Sequence, residues 1–261
     1  MRTRDAHRAQ VERYYAGYSV NTWEVLRQAG VRGRPVNLRA EDLRGLDHDH
    51  RGGVAETDAV ADALDIRIDD EVVDLGAGLG GPARHLASER GCRVTAVELT
   101  DARATGAEYL SGLLGLTQRV RVVQADMVRL PFAPASFTAC TCIEALLHVA
   151  DKAAVLRECS RVLRPGGRLA LVDWIARPAM SHAASSRLSA AVGLAVVLPL
   201  ASQIAMVEDA GFDVVELIDL TAAWRARSRD NCVEVAELIE QGALGGVRLI
   251  ARKLDQLQEE D

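Results

Sequence analysis

Aromatic residues are scarce in this chain, at 4% of 261 residues, although 49% of the sequence is hydrophobic. The core must then be built mainly from Ala, Val and Leu. Long apolar runs are missing too. The longest, Ala190 to Ala201, is interrupted by Gly193 and Pro199 and falls short of the roughly 18 residues that would span a bilayer. It reads as a buried or substrate-facing helix. No apolar stretch follows the charged Met1-Arg2-Thr3-Arg4-Asp5, so no secretory signal is expected and a cytoplasmic location is. An excess of positive charge is also absent. Against 31 basic residues stand 37 acidic ones, a net charge of −6, which argues against nucleic acid or an anionic membrane as the main partner. Repeats, low-complexity tracts and an obvious linker are lacking, so one domain is expected. The five cysteines are scattered, at 92, 140, 142, 159 and 232. Cys140 and Cys142 have strand spacing, which puts both on one face as buried thiols rather than in a zinc knuckle.

What is present is a glycine-dense turn. Val72-Val73-Asp74-Leu75-Gly76-Ala77-Gly78-Leu79-Gly80-Gly81-Pro82-Ala83-Arg84 reads as an apolar strand entering a turn that lets a nucleotide-type ligand approach backbone. Gly76, Gly78 and Gly81 satisfy the G-x-G-x-x-G of dinucleotide folds. Asp74 with Gly76, Gly78 and Gly80 satisfies the D-x-G-x-G-x-G of S-adenosylmethionine (SAM) methyltransferases. Asp74 separates the two. A carboxylate ahead of the glycines suits a methionine ammonium, or the network holding it, and has no evident use beside a pyrophosphate. Pro82 fits the first turn of the helix that follows.

From residue 70 onward, β-rich runs alternate with amphipathic helices, the pattern of a parallel sheet covered on both faces. Strands are expected over Glu71–Leu75, Arg93–Glu98, Val120–Gln124, Phe137–Ile143, Arg168–Trp174, Phe212–Leu220 and Gly246–Arg252. Helices are expected over Pro82–Arg90, Ala102–Leu114, Lys152–Leu163 and about Cys232–Ile239, with another ending at Gly211. Arg164-Pro165-Gly166-Gly167 is a stop signal before strand five. Residues 175–200 break the alternation as an insertion expected to cap a pocket. The first 60 residues read as mostly helical, with Tyr14, Tyr15, Tyr18 and Trp23 holding four of the ten aromatic residues.

Taken in order, VVDLGAGLGGPARHLA, Glu98 at the end of strand two, Ala125-Asp126-Met127, PFAPASF and LRPGGRLALVDW resemble class I SAM-dependent methyltransferases over nearly the whole chain. The GGPAR form is similar to the branch containing sarcosine and dimethylglycine N-methyltransferases and tocopherol C-methyltransferases. Asp47-His48-Asp49-His50-Arg51-Gly52-Gly53 is similar to the D-x-x-H-x-G-G stretch of that branch, and RYYAGYSVNTW more loosely to its lid helix. The resemblance implies an α/β, Rossmann-like seven-stranded sheet with helices on both faces. It implies a helical lid or substrate segment over 1–60 and a SAM-binding domain over 61–261, with the cap insertion after strand five. SAM is the implied co-substrate, S-adenosyl-L-homocysteine its product, and a small molecule the methyl acceptor; a homodimer is compatible.

Site roles follow from that resemblance. Ligands bind beyond the carboxyl ends of parallel strands, where Gly76, Glu98, Asp126 and Ile143 fall. Glu98 is placed to accept hydrogen bonds from both ribose hydroxyls, with Ala77, Gly78, Gly80 and Leu99 beside them. Asp126 would take the adenine amino group and Met127 lie against the ring; an Asx turn is the other reading of Asp126. Arg103 stands where relatives often have a neutral polar residue, and is either a ribose contact or a surface arginine.

Methyl transfer needs alignment, exclusion of water and removal of a proton where the nucleophile carries one. His148, just beyond strand four, is the candidate base; its other reading is a histidine that only shapes the pocket. Glu144, four residues earlier, is a candidate to orient His148 or bind an amine. Tyr15, Tyr18, His48 and His50 are candidate substrate contacts. His48 and His50 have no further ligand cluster, so no metal site is expected. The Ala, Val and Leu-rich segment 188–201 points to an apolar acceptor of middle size. Two alternatives remain open: a cyclisation or rearrangement on the same fold, and a non-catalytic ligand-binding module.

Overall fold

The computed structural model describes residues 9, 11–17, 20–31, 38–193, 196–226 and 233–255. Tyr18 and Cys232 lie outside the described residues. Seven strands form one sheet: β1 (Glu71–Leu75), β2 (Arg93–Glu98), β3 (Val120–Gln124), β4 (Phe137–Ile143), β5 (Leu163–Ala176), β6 (Phe212–Asp219) and β7 (Leu244–Lys253). Their order is β3-β2-β1-β4-β5-β7-β6. β1 to β5 are parallel, as the alternation of strand and helix requires. The last strand departs from that expectation. β7 inserts between β5 and β6 and runs antiparallel to both. Its near-complete burial marks it as internal, while the exposed pattern of β6 marks an edge.

Alternation along the strands divides the core. Val72 packs with α3 (Gly53–Ala63) and α4 (Gly81–Glu89) through Val60 and Leu86, while its neighbour Val73 faces α6 (Lys152–Val162) through Val155 and Leu156. Cys140 and Cys142 share that second face, with the Cys140 thiol 3.7 Å from that of Cys159. The expected stop signal does turn the chain, but within β5. Leu163 pairs with Phe137 before it and Arg168 with Ala139 after it, and Gly166 takes φ +66° between them.

The N-terminal part is tied to the sheet by a smaller cluster. Val25 and Leu26 of α1 (Thr22–Gln28) and Leu43 of α2 (Ala40–Leu43) meet Leu79 and Leu110, the latter on α5 (Asp101–Leu113). Residues 175–200 carry α7 (His182–Val192), whose Ala184, Leu188 and Val192 are buried in the same cluster as Trp174 and Trp224. The insertion is thus part of the body. α8 (Leu200–Asp209) precedes β6; α9 (Thr221–Ala226), which sequence reading missed, and α10 (Val233–Glu240) precede β7. None of these helices is long and apolar enough to cross a membrane among the described residues.

Gly246 of β7 faces the fully buried Trp224 of α9, and a Cβ there would overlap three carbons of the indole ring. Gly246→Ala is expected to cost about 1–3 kcal/mol by overpacking, read as a lower melting temperature. A melting temperature equal to the parent's would show that this packing is not tight.

Candidate active site

The carboxyl ends of β1, β2 and β4, with residues 125–128 after β3, surround a cavity of about 390 Å³. Its floor is the turn after β1. The amides of Gly76 and Ala77 both donate to the Val97 carbonyl, at 2.9 and 3.0 Å, and fold the turn over the end of β2. Gly76 and Gly78 take φ of +71° and +58°, which residues with a Cβ rarely adopt. Space imposes the same choice. A Cβ on Gly76 would overlap the Ala145 methyl, and one on Gly78 would lie 2.6 Å from Arg103 Nη2. Gly80, φ +80°, precedes α4 and packs on Arg84 and Ala107, so it shapes the helix start without lining the cavity.

Glu98 is held ready at the cavity wall. Its Oε2 accepts from the Gly78 amide at 3.0 Å; Oε1 accepts from the Thr100 amide at 2.8 Å and the Thr100 hydroxyl at 2.9 Å. With two acceptor directions per oxygen, one on Oε2 remains for a ligand hydroxyl. Asp126 makes the Asx turn, its Oδ1 accepting from the Val128 amide at 3.1 Å, and it lines the cavity beside Met127. Ala77, Leu99 and Ile143 line it as well. Arg103 is not a surface arginine. It is buried, donates to Asp49 Oδ2 at 2.9 Å and to the Val20 carbonyl at 3.4 Å, and lies 4.6 Å from the centre of the Tyr15 ring.

Asp74 lies beneath the turn rather than in the cavity lining. Its Oδ1 accepts from the Thr141 hydroxyl at 2.7 Å; Oδ2 is buried without a partner. Burial pushes its carboxyl up to about 7, against the Thr141 hydrogen bond.

At the other end of the cavity, His148 sits on the 3₁₀ turn Leu146–His148. Its Nδ1 lies 3.1 Å from the Gly193 carbonyl and its Nε2 2.9 Å from the Tyr15 hydroxyl. A carbonyl only accepts, so Nδ1 carries the proton and Nε2 presents a lone pair to the Tyr15 O–H. Burial holds the Tyr15 phenol well above its ordinary value, so it stays the donor.

Glu144 is not on one helical face with His148, because its own φ is +48° and the helical turn begins only at Leu146. Its oxygens are committed elsewhere. Oε1 accepts from the Arg51 amide at 2.6 Å and Oε2 from Trp174 Nε1 at 2.8 Å. The Arg51 guanidinium lies 4.9 Å from the centre of the Trp174 ring and 5.6 Å from that of Trp224. Burial raises the Glu144 carboxyl to about 7, opposed by Arg51. Glu144 therefore fixes the backbone that leads to His148 instead of orienting its ring.

The two histidines of the D-H-D-H stretch separate. His50 lines the cavity, with Nε2 3.3 Å from the Thr57 hydroxyl, and burial beside His48 pushes it down to about 3, so it is neutral. His48 points away from the cavity, its ring 5.7 Å from that of His85. No group of three His, Cys, Asp or Glu side chains is arranged as metal ligands among the described residues. Among the described residues, 175–200 contribute no side chain to the lining, and the Gly193 carbonyl reaches it through His148. The apolar wall comes instead from Val11, Val97, Met127, Val128, Ile143 and Val149. Sequence reasoning missed Asp49, Arg51 and Trp174. Asp49 lay within a singled-out stretch, but the Arg51 and Glu144 pairing spans 93 positions and has no local signal.

These residues fit SAM. Two side-chain-free positions lie under a carboxylate with a free acceptor direction, and Asp126 stands at the end of the adjoining strand. The methyltransferase domain family matches residues 73–171. The chain is 33% identical over 187 residues to methyltransferase GfsG of Streptomyces halstedii, covering 70% of this chain and 67% of that one. It is 36% identical over 122 residues to 27-O-demethylrifamycin SV methyltransferase of Amycolatopsis mediterranei, covering 47% and 45%. The fold matches geranyl diphosphate C-methyltransferase from Streptomyces coelicolor, solved with Mg²⁺, geranyl-S-thiolodiphosphate and S-adenosyl-L-homocysteine. The TM-score is 0.78 at 22% identity, over 95% of this chain and 98% of that one. The chain belongs to the class I SAM-dependent methyltransferases. Within that class it is a small-molecule methyltransferase, with SAM as the methyl donor.

Glu98→Ala is expected to weaken SAM binding about tenfold or more while the circular dichroism spectrum stays unchanged; unaltered affinity would remove Glu98 from the ribose site. For Asp74, a folded-state value above the ordinary carboxyl value means that folding takes up a proton. The associated stability is complete below about pH 4 and is lost as pH rises through about 7. Asp74→Asn should therefore flatten part of the decline in melting temperature between about pH 4 and 8. A profile parallel to the parent's would contradict the burial.

Proposed function

We propose that this methyltransferase acts on a hydroxyl of a medium-sized, largely apolar metabolite, with His148 as the general base. The observation carrying this reading is the placement of the His148 ring between the Gly193 carbonyl and the Tyr15 hydroxyl. With Nδ1–H given to the Gly193 carbonyl, Nε2 is the acceptor on the cavity side, and the Tyr15 hydroxyl at 2.9 Å supports its meeting an O–H group there. SAM, when bound, supplies a methyl group already activated on a sulfonium. The chain then has to align the acceptor, exclude water and take one proton.

His148 Nε2 would take the hydroxyl proton as the oxygen–methyl bond forms and the methyl–sulfonium bond breaks, S-adenosyl-L-homocysteine being the leaving group, and the charge then shared over the ring would be met by the Gly193 carbonyl. Tyr15 keeps the ring in place before the acceptor arrives. In this reading residues 1–60 act as the lid, carrying Tyr15 to His148 and Asp49 to Arg103, and 61–261 form the SAM-binding body. The apolar wall supports an acceptor recognised by volume. A relative named 27-O-demethylrifamycin SV methyltransferase is consistent with a hydroxyl. We place the enzyme in the cytoplasm.

His148→Ala is expected to lower kcat about 100-fold or more with SAM affinity preserved, and Tyr15→Phe to lower it less. The measurement pairs single-turnover methylation of terpenoid and aromatic alcohols with calorimetric titration of S-adenosyl-L-homocysteine. Turnover equal to the parent's in His148→Ala would remove His148 as the base.

A further inference from the structure

The segment that carries His148 is anchored at both ends. At its start, Glu144 accepts from the Arg51 amide and from Trp174 Nε1. At its end stands Lys152, the first residue of α6. Its side chain is buried and turns back to the 3₁₀ turn, where Nζ donates to the Leu146 carbonyl at 2.5 Å and to the Val149 carbonyl at 3.1 Å. Those carbonyls lie two residues before His148 and one after it. The Leu146 carbonyl already closes the turn by accepting from the Val149 amide at 3.0 Å, so the ammonium adds a charged donor there and fixes Val149 beyond it. One cation thus holds the peptide planes on either side of the histidine. Two effects oppose a cation at this place. Burial pushes the Lys152 ammonium below its ordinary value, with Asp173 of β5 acting the other way. The start of a helix is also the positive end of its dipole, tempered here by Asp151, which caps α6 through the Ala154 amide. An apolar side chain of the same length would escape both costs. What it could not do is bind the two carbonyls.

We propose that Lys152 is a positioning residue for methyl transfer, which sets the His148 ring in the cavity by binding the Leu146 and Val149 carbonyls. The inference rests on the reading of His148 as the general base. The need for it arises in the reaction itself. Before an acceptor arrives, the ring is steadied by the Gly193 carbonyl on one side and the Tyr15 hydroxyl on the other. An acceptor hydroxyl at Nε2 takes the place of Tyr15, and the ring then depends more on the backbone that carries it. A misplacement of about 1 Å can cost about 100-fold in rate, so a backbone held by a charged donor keeps the base in line. Lys152 does not line the cavity. Its effect on the chemistry therefore passes through His148.

The test compares Lys152→Met, which keeps the length of the side chain and removes its donor, with Lys152→Arg, which keeps a cationic donor, both in the full chain. Lys152→Met is expected to lower kcat about tenfold or more, with KM for the alcohol and the calorimetric affinity for S-adenosyl-L-homocysteine unchanged; Lys152→Arg should recover part of the loss. In a His148→Ala background Lys152→Met should cost nothing further, because a residue acting through the histidine has nothing left to position. Nitrogen NMR of a chain with isotope-labelled histidines supplies a readout that needs no acceptor. The ring signals of His148, assigned by their loss in His148→Ala, should shift in Lys152→Met and return toward the parent's in Lys152→Arg. If Lys152→Met loses S-adenosyl-L-homocysteine binding, Lys152→Gln, polar but uncharged, takes its place with the same expected results. A kcat equal to the parent's without the ammonium, an equal fold-loss with and without His148, or ring signals that do not move would each overturn the inference. The two readings fail separately. Full activity of His148→Ala with ring signals that follow Lys152 would defeat the base and leave the placement standing. Lost activity in His148→Ala with ring signals indifferent to Lys152 would do the reverse.

Discussion

The turn after β1 has no room for side chains, and the site is arranged around that constraint. Gly76 lets Ala145 approach the floor of the cavity, and Ala145 begins the short segment that ends in His148. Gly78 lets Arg103 lie over the turn, and Arg103 in turn holds Asp49 and the Tyr15 ring. One backbone feature thus brings the donor floor, the candidate base and the N-terminal segment to a common place. The shared Val97 carbonyl fixes the turn to the end of β2, so Glu98 is adjacent by construction.

Buried charge supplies the second layer of order. Glu144, Asp74 and Asp173 all have carboxyls pushed up by burial, to about 7, 7 and 6. Each is met by at least one donor: Glu144 by Arg51 and Trp174, Asp74 by Thr141, Asp173 by the Trp174 amide. Removing one partner of such a group leaves the other desolvated. The Arg51 and Glu144 pair is the clearest instance, because it ties the stretch before α3 to the backbone that carries His148. A site for a cationic donor is well served by surrounding carboxylates.

Much of this was legible in the sequence because it is local. The strands β1 to β4 fall on their predicted residues, since apolar β-branched runs bounded by turn signals leave little choice. The glycine turn, Glu98, Asp126 and Met127 follow from the order of motifs along a parallel sheet. What was not legible is what depends on distant pairing. The antiparallel insertion of β7, the commitment of Glu144 to Arg51 and Trp174, and the burial of α7 in the body all join residues far apart in the chain. Arg103 and Gly193 show the same limit. A helix arginine reads as a surface residue until the N-terminal segment is seen against it, and a glycine carbonyl has no sequence signature as a tautomer-setting acceptor.

In the proposed reaction, donor and base meet across this one cavity. A crystal structure of the chain with S-adenosyl-L-homocysteine tests it most directly. The adenosine is expected over Gly76 and Gly78, the ribose at Glu98, and the sulfur opening toward Nε2 of His148. A sulfur turned away from His148, or a ligand bound elsewhere, would contradict it.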